Sequence, residues 1–257
     1  MSRILVTDLD GTLLGGSPDQ RRRLRDALVR RPEVVPVFAT GRGLASVREV
    51  LADPLVPRPR WIIADVGATV VDGADFTPVD SLQEQLRTGW PGTERVRAAL
   101  RRFPALVYQR DVVQDGRCSY HLAPHHLTEE LTAAVEALGC AWVYSGERYF
   151  DVLPPDASKG NAVRALAGKL GWRPDEILVA GDSLNDLSLY GLGAHAVVVG
   201  GAEPALLTAL AADPGVHRPD EPGAAGIQAA LEALGWLAPS SAPPLAATAE
   251  CPPAGRP

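Results

Sequence analysis

Asp8 and Asp10 are the first residues of this chain whose types and spacing suggest chemistry. The apolar run Ile4-Leu5-Val6 leads into Thr7-Asp8-Leu9-Asp10-Gly11-Thr12. An apolar run closed by turn residues reads as a buried parallel strand with a loop at its carboxyl end. Open α/β sheets place their ligands at such ends. Two aspartates two residues apart leave an extended segment on the same side. Carboxylates held that close repel unless a cation neutralises them, and a divalent ion such as Mg²⁺ does so with hard oxygen ligands.

Three later stretches could supply the rest of a site. Val34–Ala39 reads as a strand entering Thr40-Gly41-Arg42. The Thr40 hydroxyl can donate to a phosphate oxygen, and Gly41 lets the backbone approach a ligand closely. Ser158-Lys159-Gly160 opens a helix predicted to run to about Leu170. Ile177–Gly181 reads as a buried strand that delivers Asp182 at its tip, with Asn185 and Asp186 on the following loop.

Asp8-Leu9-Asp10-Gly11-Thr12 resembles motif I, DxDGT, of the haloacid dehalogenase (HAD) superfamily. The strand end at Thr40 resembles motif II, Ser158-Lys159-Gly160 resembles motif III, and Gly181-Asp182-Ser183-Leu184-Asn185-Asp186 resembles motif IV, GDSxND. The resemblance implies a Rossmann-like parallel α/β core. It makes Asp8 the nucleophile that forms an aspartyl phosphate, and Asp10 the general acid and base. Mg²⁺ would be held by Asp8, the backbone oxygen of Asp10, Asp182 and Asp186. Thr40, Gly41, Lys159 and Asn185 would bind the phosphate.

The elements that must position these groups follow the same reading. A helix is expected to run to about Arg30 with Asp19 as its N-cap, and another from Leu44 to Leu51. Trp61–Ala64 reads as a strand, and Val70–Gly73 as a short hairpin. Asp65 stands where relatives carry a small polar residue, so the resemblance gives it no role. From about Ser81 the pattern changes to α-β-β-α-β-β: helices at Gly92–Phe103 and Leu127–Leu138, with strands at Ala105–Arg110, Arg117–Leu122, Cys140–Ser145 and Arg148–Leu153. Two helices on one face of a small antiparallel sheet are expected. An insertion of this order between motifs II and III resembles the type IIB cap of HAD enzymes, which shields the reaction from water. The expected domains are 1–80 with 156–237 for the core, and 81–155 for the cap. A strand is expected at Ala196–Gly201, a helix from Glu203-Pro204, and a last helix ending near Leu237. The Pro/Ala-rich tail, 238–257, cannot bury a core and is expected to be disordered.

Alternation divides the cap strands into two faces. Leu106, Tyr108, Cys118, Tyr120, Leu122, Phe150 and Val152 should pack on the cap helices. Gln109, Arg117, Ser119, His121, Tyr149 and Asp151 should face the core and grip substrate hydroxyls, with Glu147 beside them. Tyr144–Pro154 running into Ser158-Lys159-Gly160 looks like the sucrose-phosphate phosphatase branch, whose substrates are sugar phosphates. Glu147, and Arg117 in place of a more usual lysine, leave the sugar open. An amino-sugar or cyclitol phosphate is also compatible, because Glu147 and Asp151 would pair with an amine.

Composition is consistent with this. The 257 residues are 46% hydrophobic and 22% charged, with a net charge of -6, which argues against nucleic acid or an anionic membrane as partner. The three cysteines, Cys118, Cys140 and Cys251, are odd in number and contain no CxxC. A reducing, cytoplasmic setting is expected, with Cys118 and Cys140 as packed thiols or, alternatively, a pair. His125-His126 reads as surface. No P-loop is present. The resulting expectation is a Mg²⁺-dependent sugar-phosphate phosphatase, as a monomer or dimer. A phosphohexomutase and a non-catalytic sugar-phosphate sensor are the rival readings.

Overall fold

A computed structural model describes residues 2–79, 81–110, 112–114 and 116–239. The chain begins with β1 (Arg3–Thr7), a tight turn at Leu9–Leu13, α1 (Pro18–Val29), β2 (Val34–Ala39), α2 (Leu44–Val50), β3 (Trp61–Ala64) and β4 (Thr69–Asp72). It then forms α3 (Leu82–Leu86), α4 (Thr93–Leu100), β5 (Val107–Tyr108), β6 (Cys118–His121), α5 (Glu129–Glu136), β7 (Ala141–Ser145) and β8 (Tyr149–Leu153). It closes with α6 (Lys159–Leu170), β9 (Ile177–Gly181), α7 (Leu187–Tyr190), β10 (His195–Val198), α8 (Pro204–Ala209), β11 (Val216–His217) and α9 (Gly223–Ala233).

These strands form two sheets. The larger has seven strands in the order β11-β10-β9-β1-β2-β3-β4. All its pairings are parallel except β3 with β4. Its strands are apolar on both sides because both sides are covered. Leu5, Phe38, Ile62 and Leu178 pack with residues of α1, α2 and α9. Ile4, Val6, Val37, Ile63 and Val179 pack with residues of α6 and α8. β1 lies between β2, which follows it after one helix, and β9, which follows it only after the cap and α6. Its carboxyl end is therefore a switch point where a crevice must open. Thr7 pairs with Ala180 on one side and Phe38 on the other, so Asp8, Thr40 and Asp182 leave the sheet at one edge.

The smaller sheet has four antiparallel strands in the order β5-β6-β8-β7. Its apolar face carries Cys118, Tyr120, Leu122, Phe150 and Val152, closed by Val96 and Leu100 of α4 and Leu131 and Val135 of α5. Leu106 and Tyr108 pack at the margin of that cluster. The expected division of the cap strands into two faces is therefore present.

Some local expectations are corrected. Ser17, not Asp19, caps α1: its Oγ accepts from Gln20 N–H at 3.3 Å, and Gln20 Oε1 accepts from Ser17 N–H at 2.7 Å. Pro18 at the first helical position fixes that start two residues earlier than the acidic residue suggested. The short hairpin expected at Val70–Gly73 is present, with Asp72 N–H on Thr77 O and Val71 opposite Pro78, and its first arm, Thr69–Asp72, also pairs antiparallel with β3. The expected β5 shrinks to two residues, and the short α3 and β11 were not anticipated. Cys118 and Cys140 are free and buried, so the alternative of a pair is excluded. Cys251 and residues 240–257, on which most of the disordered-tail expectation falls, lie outside the described residues. No helix among the described residues is long and apolar enough to cross a membrane.

The capping box at Ser17 gives a stability test. Ser17→Ala should lower unfolding free energy by about 1 kcal/mol, measured by urea denaturation, with an unchanged m-value.

Candidate active site

The site is built where the switch point meets the cap. The residue after β1, Asp8, donates its backbone N–H to Ala180 O at 2.9 Å, which ties it to β9. Its carboxylate is 3% exposed. Lys159, the first residue of α6, is fully buried, and its Nζ donates to Asp8 Oδ1 at 2.7 Å and to Asp186 Oδ1 at 2.6 Å. Ser158 fixes the start of α6 by accepting from Asn161 N–H, so the ammonium is delivered by a capped helix rather than a free loop. Asp186 also accepts from the backbone N–H of Asp182 and of Ser183, each at 3.0 Å. Asp182 Oδ1 accepts from Thr12 Oγ1 at 2.5 Å.

Two glycines make this closeness possible. A Cβ on Gly11 would stand 2.1 Å from Asp182 Oδ2, and Gly11 adopts φ +77. A Cβ on Gly181 would stand 2.5 Å from the Asp186 carboxyl carbon. The DxDGT turn thus needs glycine both for its left-handed backbone and for the space the second carboxylate occupies.

The electrostatics are crowded. Burial pushes Asp8 up to about 8, against the opposing charge of Lys159 and with the help of Asp186. Burial likewise pushes Asp182 up to about 6, partly offset by the Thr12 hydrogen bond. Burial alone would lower the Lys159 ammonium, but Asp186 and Asp8 together raise it. Asp8, Asp182 and Asp186 each offer an oxygen within 4.8 Å of the others. Three carboxylates against one ammonium is the donor set a hard divalent cation fits. Asp8 and Asp182 are the candidates for direct contact. Asp186, with both oxygens already accepting hydrogen bonds, fits a supporting position.

Above this cluster lies a cavity of about 520 Å³, lined from below by Asp8, Asp10, Gly11, Gly41, Arg42, Asp182 and Asn185 and from the cap by Gln109, Arg117, Ser145, Tyr149 and Asp151. Asn185 Oδ1 is buried with no hydrogen-bond partner, an acceptor or water site still unfilled. Thr40 is fully buried behind Gly41 and outside the cavity lining, and its Oγ1 accepts from Arg42 N–H at 3.1 Å.

The expected cap residues divide. Gln109, Arg117, Tyr149 and Asp151 line the cavity. Ser119 does not; it is buried and its hydroxyl is hydrogen-bonded to Asp151. His121 does not either, because its ring lies tilted on Tyr149 and its Nδ1 accepts from Arg148 Nε. Glu147 sits in the β7–β8 turn with φ +48, outside the lining.

Sequence reasoning missed two residues that the fold brings in. Arg42 grips Asp10 through Nε at 2.7 Å and Nη2 at 2.6 Å, and donates from Nη1 to Ser46. The Thr40-Gly41-Arg42 stretch carried that signal. Glu203, before α8, accepts from Leu184 N–H at 2.9 Å in the core and from Gly146 N–H at 2.8 Å in the cap. Nothing local marks it.

A family model described as sucrose-6F-phosphate phosphohydrolase matches residues 1–236. The chain belongs to that family. With it comes membership of the HAD superfamily, as the motif resemblance implied. The chain is 41% identical over 235 residues to glucosylglycerol-phosphate synthase of Pseudomonas anguilliseptica, a match covering 91% of this chain and 31% of that protein. It is 33% identical to mannosylfructose-phosphate phosphatase of Agrobacterium fabrum, covering 80% of this chain and 86% of that protein. Among solved structures, sucrose-phosphatase from Synechocystis sp., in complex with sucrose and phosphate, superposes with a TM-score of 0.83 at 27% identity, covering 91% of this chain and 99% of that one. The chain thus spans under a third of one family relative and most of the other two.

The raised carboxyls yield a pH test. Asp8 and Asp182 titrate above their ordinary 3.8, so between about pH 4 and pH 8 the folded protein holds protons that the unfolded chain has released. Metal-free stability from these groups therefore falls as pH rises through that window. A divalent cation takes the place of those protons. Mg²⁺ should raise the melting temperature more at about pH 8 than at about pH 6; equal shifts in thermal scans would count against a metal bound by these carboxylates.

Proposed function

We propose that the chain is a Mg²⁺-dependent phosphatase for the phosphate monoester of a small glycoside, of the glucosylglycerol phosphate class. The observation that carries this is the buried Asp8–Lys159–Asp186 bridge with Asp182 beside it, opening into a polar cavity closed by the cap. The 41% identity to a glucosylglycerol-phosphate synthase supports that aglycone over fructose. In this reading residues 1–80 and 156–237 are the catalytic core and 81–155 the cap.

Asp8 is the nucleophile. Its Oδ1 is held by Lys159, which leaves Oδ2 to attack phosphorus while the bond to the glycoside oxygen breaks and an aspartyl phosphate forms. A carboxylate approaching a phosphate dianion meets repulsion, which the buried ammonium of Lys159 reduces. Mg²⁺ would be held by Asp8, Asp182 and the Asp10 backbone oxygen with Asp186 in support, and would supply the second neutralising charge. Asn185, the Gly41 backbone and Thr40 are the remaining phosphate contacts.

Asp10 gives its proton to the departing alkoxide and then takes one from the water that hydrolyses the aspartyl phosphate. Its carboxylate is turned to Arg42, a bidentate grip that raises the guanidinium's affinity for its own proton through the Asp10 hydrogen bond. Arg42 therefore holds the Asp10 side chain at the rim of the cavity.

Phosphate release across glucosylglycerol phosphate, mannosylfructose phosphate, sucrose 6-phosphate and hexose 6-phosphates tests the reading. The highest kcat/KM is expected for glucosylglycerol phosphate. An isomerised hexose phosphate without free phosphate would establish a mutase instead, and tight binding without turnover would establish a sensor. Asp8→Asn should abolish phosphate release with the circular dichroism spectrum unchanged. Asp10→Asn should lower kcat by about 10²–10⁴-fold.

A further inference from the structure

The tip of β3 carries an acid that the chemistry above does not use. Asp65 is 6% exposed. It stands at φ 52 and is followed by Val66 at φ 55 and Gly67 at φ 104. A left-handed β-branched residue persists only where its surroundings dictate the backbone. Here they do. Val66 is buried with Leu153 and Ala157, and Ala141 and Val143 of the cap pack on the same cluster. A Cβ on Gly67 would meet Ser158 O at 2.2 Å, so the loop is pressed against the start of α6.

This rigid loop points Asp65 at the cap. Its Oδ1 lies 3.2 Å from Arg117 Nε, and Arg117 Nη1 lies 3.3 Å from Asp151 Oδ1. Arg117 and Asp151 are each 6% exposed. Asp65 Oδ2 accepts from Thr69 Oγ1 at 2.7 Å, and Thr69 Oγ1 in turn accepts from Arg87 Nη2 at 2.8 Å. On the far side Asp151 takes the Ser119 hydroxyl. One guanidinium is thus held between a core carboxylate and a cap carboxylate, both anchored from behind. Arg117 also lines the cavity above Asp8, away from the phosphate floor.

We propose that Asp65 is a positioning residue: it sets the Arg117 guanidinium against Asp151 so that Arg117 reads the glycosyl part of the substrate, not its phosphate. The inference rests on the phosphatase reading and deepens it. Arginine suits this place because its planar fork can meet two carboxylates and still offer a donor to a ligand, which an ammonium cannot do with the same fixed geometry. The Asp65–Arg117 contact is within ion-pair distance yet aligned for no hydrogen bond at Nε or Oδ1. A buried pair so placed gains most from a small further movement of the cap, which a bound glycoside would supply. Arg117 is therefore positioned by the core although it belongs to the cap, and the distance from the reacting phosphate to the glycosyl contact becomes a property of loop 64–68.

The test compares two substrates on the same protein: glucosylglycerol phosphate, or the best glycoside phosphate of the panel, and p-nitrophenyl phosphate, which has no glycosyl group. Asp65→Asn should raise KM for the glycoside phosphate with little change in kcat, lowering its kcat/KM relative to that for p-nitrophenyl phosphate by about tenfold or more. A second variant removes ambiguity from folding. On an Arg117→Gln background, Asp65→Asn should leave that ratio where Arg117→Gln puts it, because residues acting as one unit are non-additive. An unchanged ratio in the single variant, an equal fall for both substrates, or an additive fall in the double variant would overturn the role. Wild-type protein that releases phosphate from p-nitrophenyl phosphate but from no glycoside phosphate would overturn the substrate reading instead.

Discussion

A single buried ammonium decides the geometry of the active site. Lys159 has no access to water and donates to carboxylates from two different strand ends, Asp8 after β1 and Asp186 beyond β9. Burying any one of these three groups alone would be prohibitive, and leaving one unpaired costs about 3–5 kcal/mol. The cluster is therefore an all-or-none constraint. α6 must begin where it does, β1 and β9 must be neighbours in register, and the chain must come back from the cap at one point. The glycines at 11 and 181 are consequences of the same constraint, since each yields the space a carboxylate takes up.

The constraint also leaves an imbalance that function can use. The sheet edge gathers more negative than positive charge, and burial raises Asp8 and Asp182 in response. Such a site is least comfortable when empty. It favours a cation, and with the cation an anion, so binding relieves strain that folding alone left in place. The cap contributes the complementary chemistry, a wall of Gln109, Tyr149 and the Arg117–Asp151 pair suited to hydroxyl groups. In the proposed reading, phosphate is therefore met by the large sheet and its carrier by the cap sheet.

What was legible in the sequence follows from locality. Asp8, Asp10, Thr40, Asp182 and Asn185 each sit at the end of an apolar strand, where strand, turn and ligand position are written in consecutive residues. Lys159 was legible because its helix start is capped by the residue before it. The two cap faces were legible from alternation alone. Alternation could not say how far the cavity extends along the polar face, so His121 and Ser119 were expected in it. Tyr149 and Asp151, expected there as well, do reach the lining, with His121 and Ser119 stacked or bonded against them. Asp65 and Glu203 acquire their partners across long sequence separations, and no local pattern distinguishes them from ordinary surface charge; Arg42 stands in a marked stretch, but its grip on Asp10 joins two separate strand ends. The N-cap of α1 lies two residues earlier than expected because an acidic residue outranked the Ser-Pro pair that starts the helix.

Those long-range residues share a geometric logic. In the large sheet β3 and β10 flank the strands that carry Asp8, Thr40 and Asp182, one on each side. Asp65 follows β3 and reaches Arg117; Glu203 follows β10 and reaches the Gly146 amide. The cap is therefore tied to the core by one carboxylate on each flank of Asp8. Neither tie is apolar, and each joins groups that water could solvate if the cap lifted, while the apolar contact of Val66 with Leu153, Ala141 and Val143 favours the closed arrangement. The ties also make the closed geometry specific, because two directional contacts on opposite flanks permit one orientation of the polar cap face over Asp8. A cap held this way can admit a substrate and still present its glycosyl contacts at a fixed height above the phosphate site.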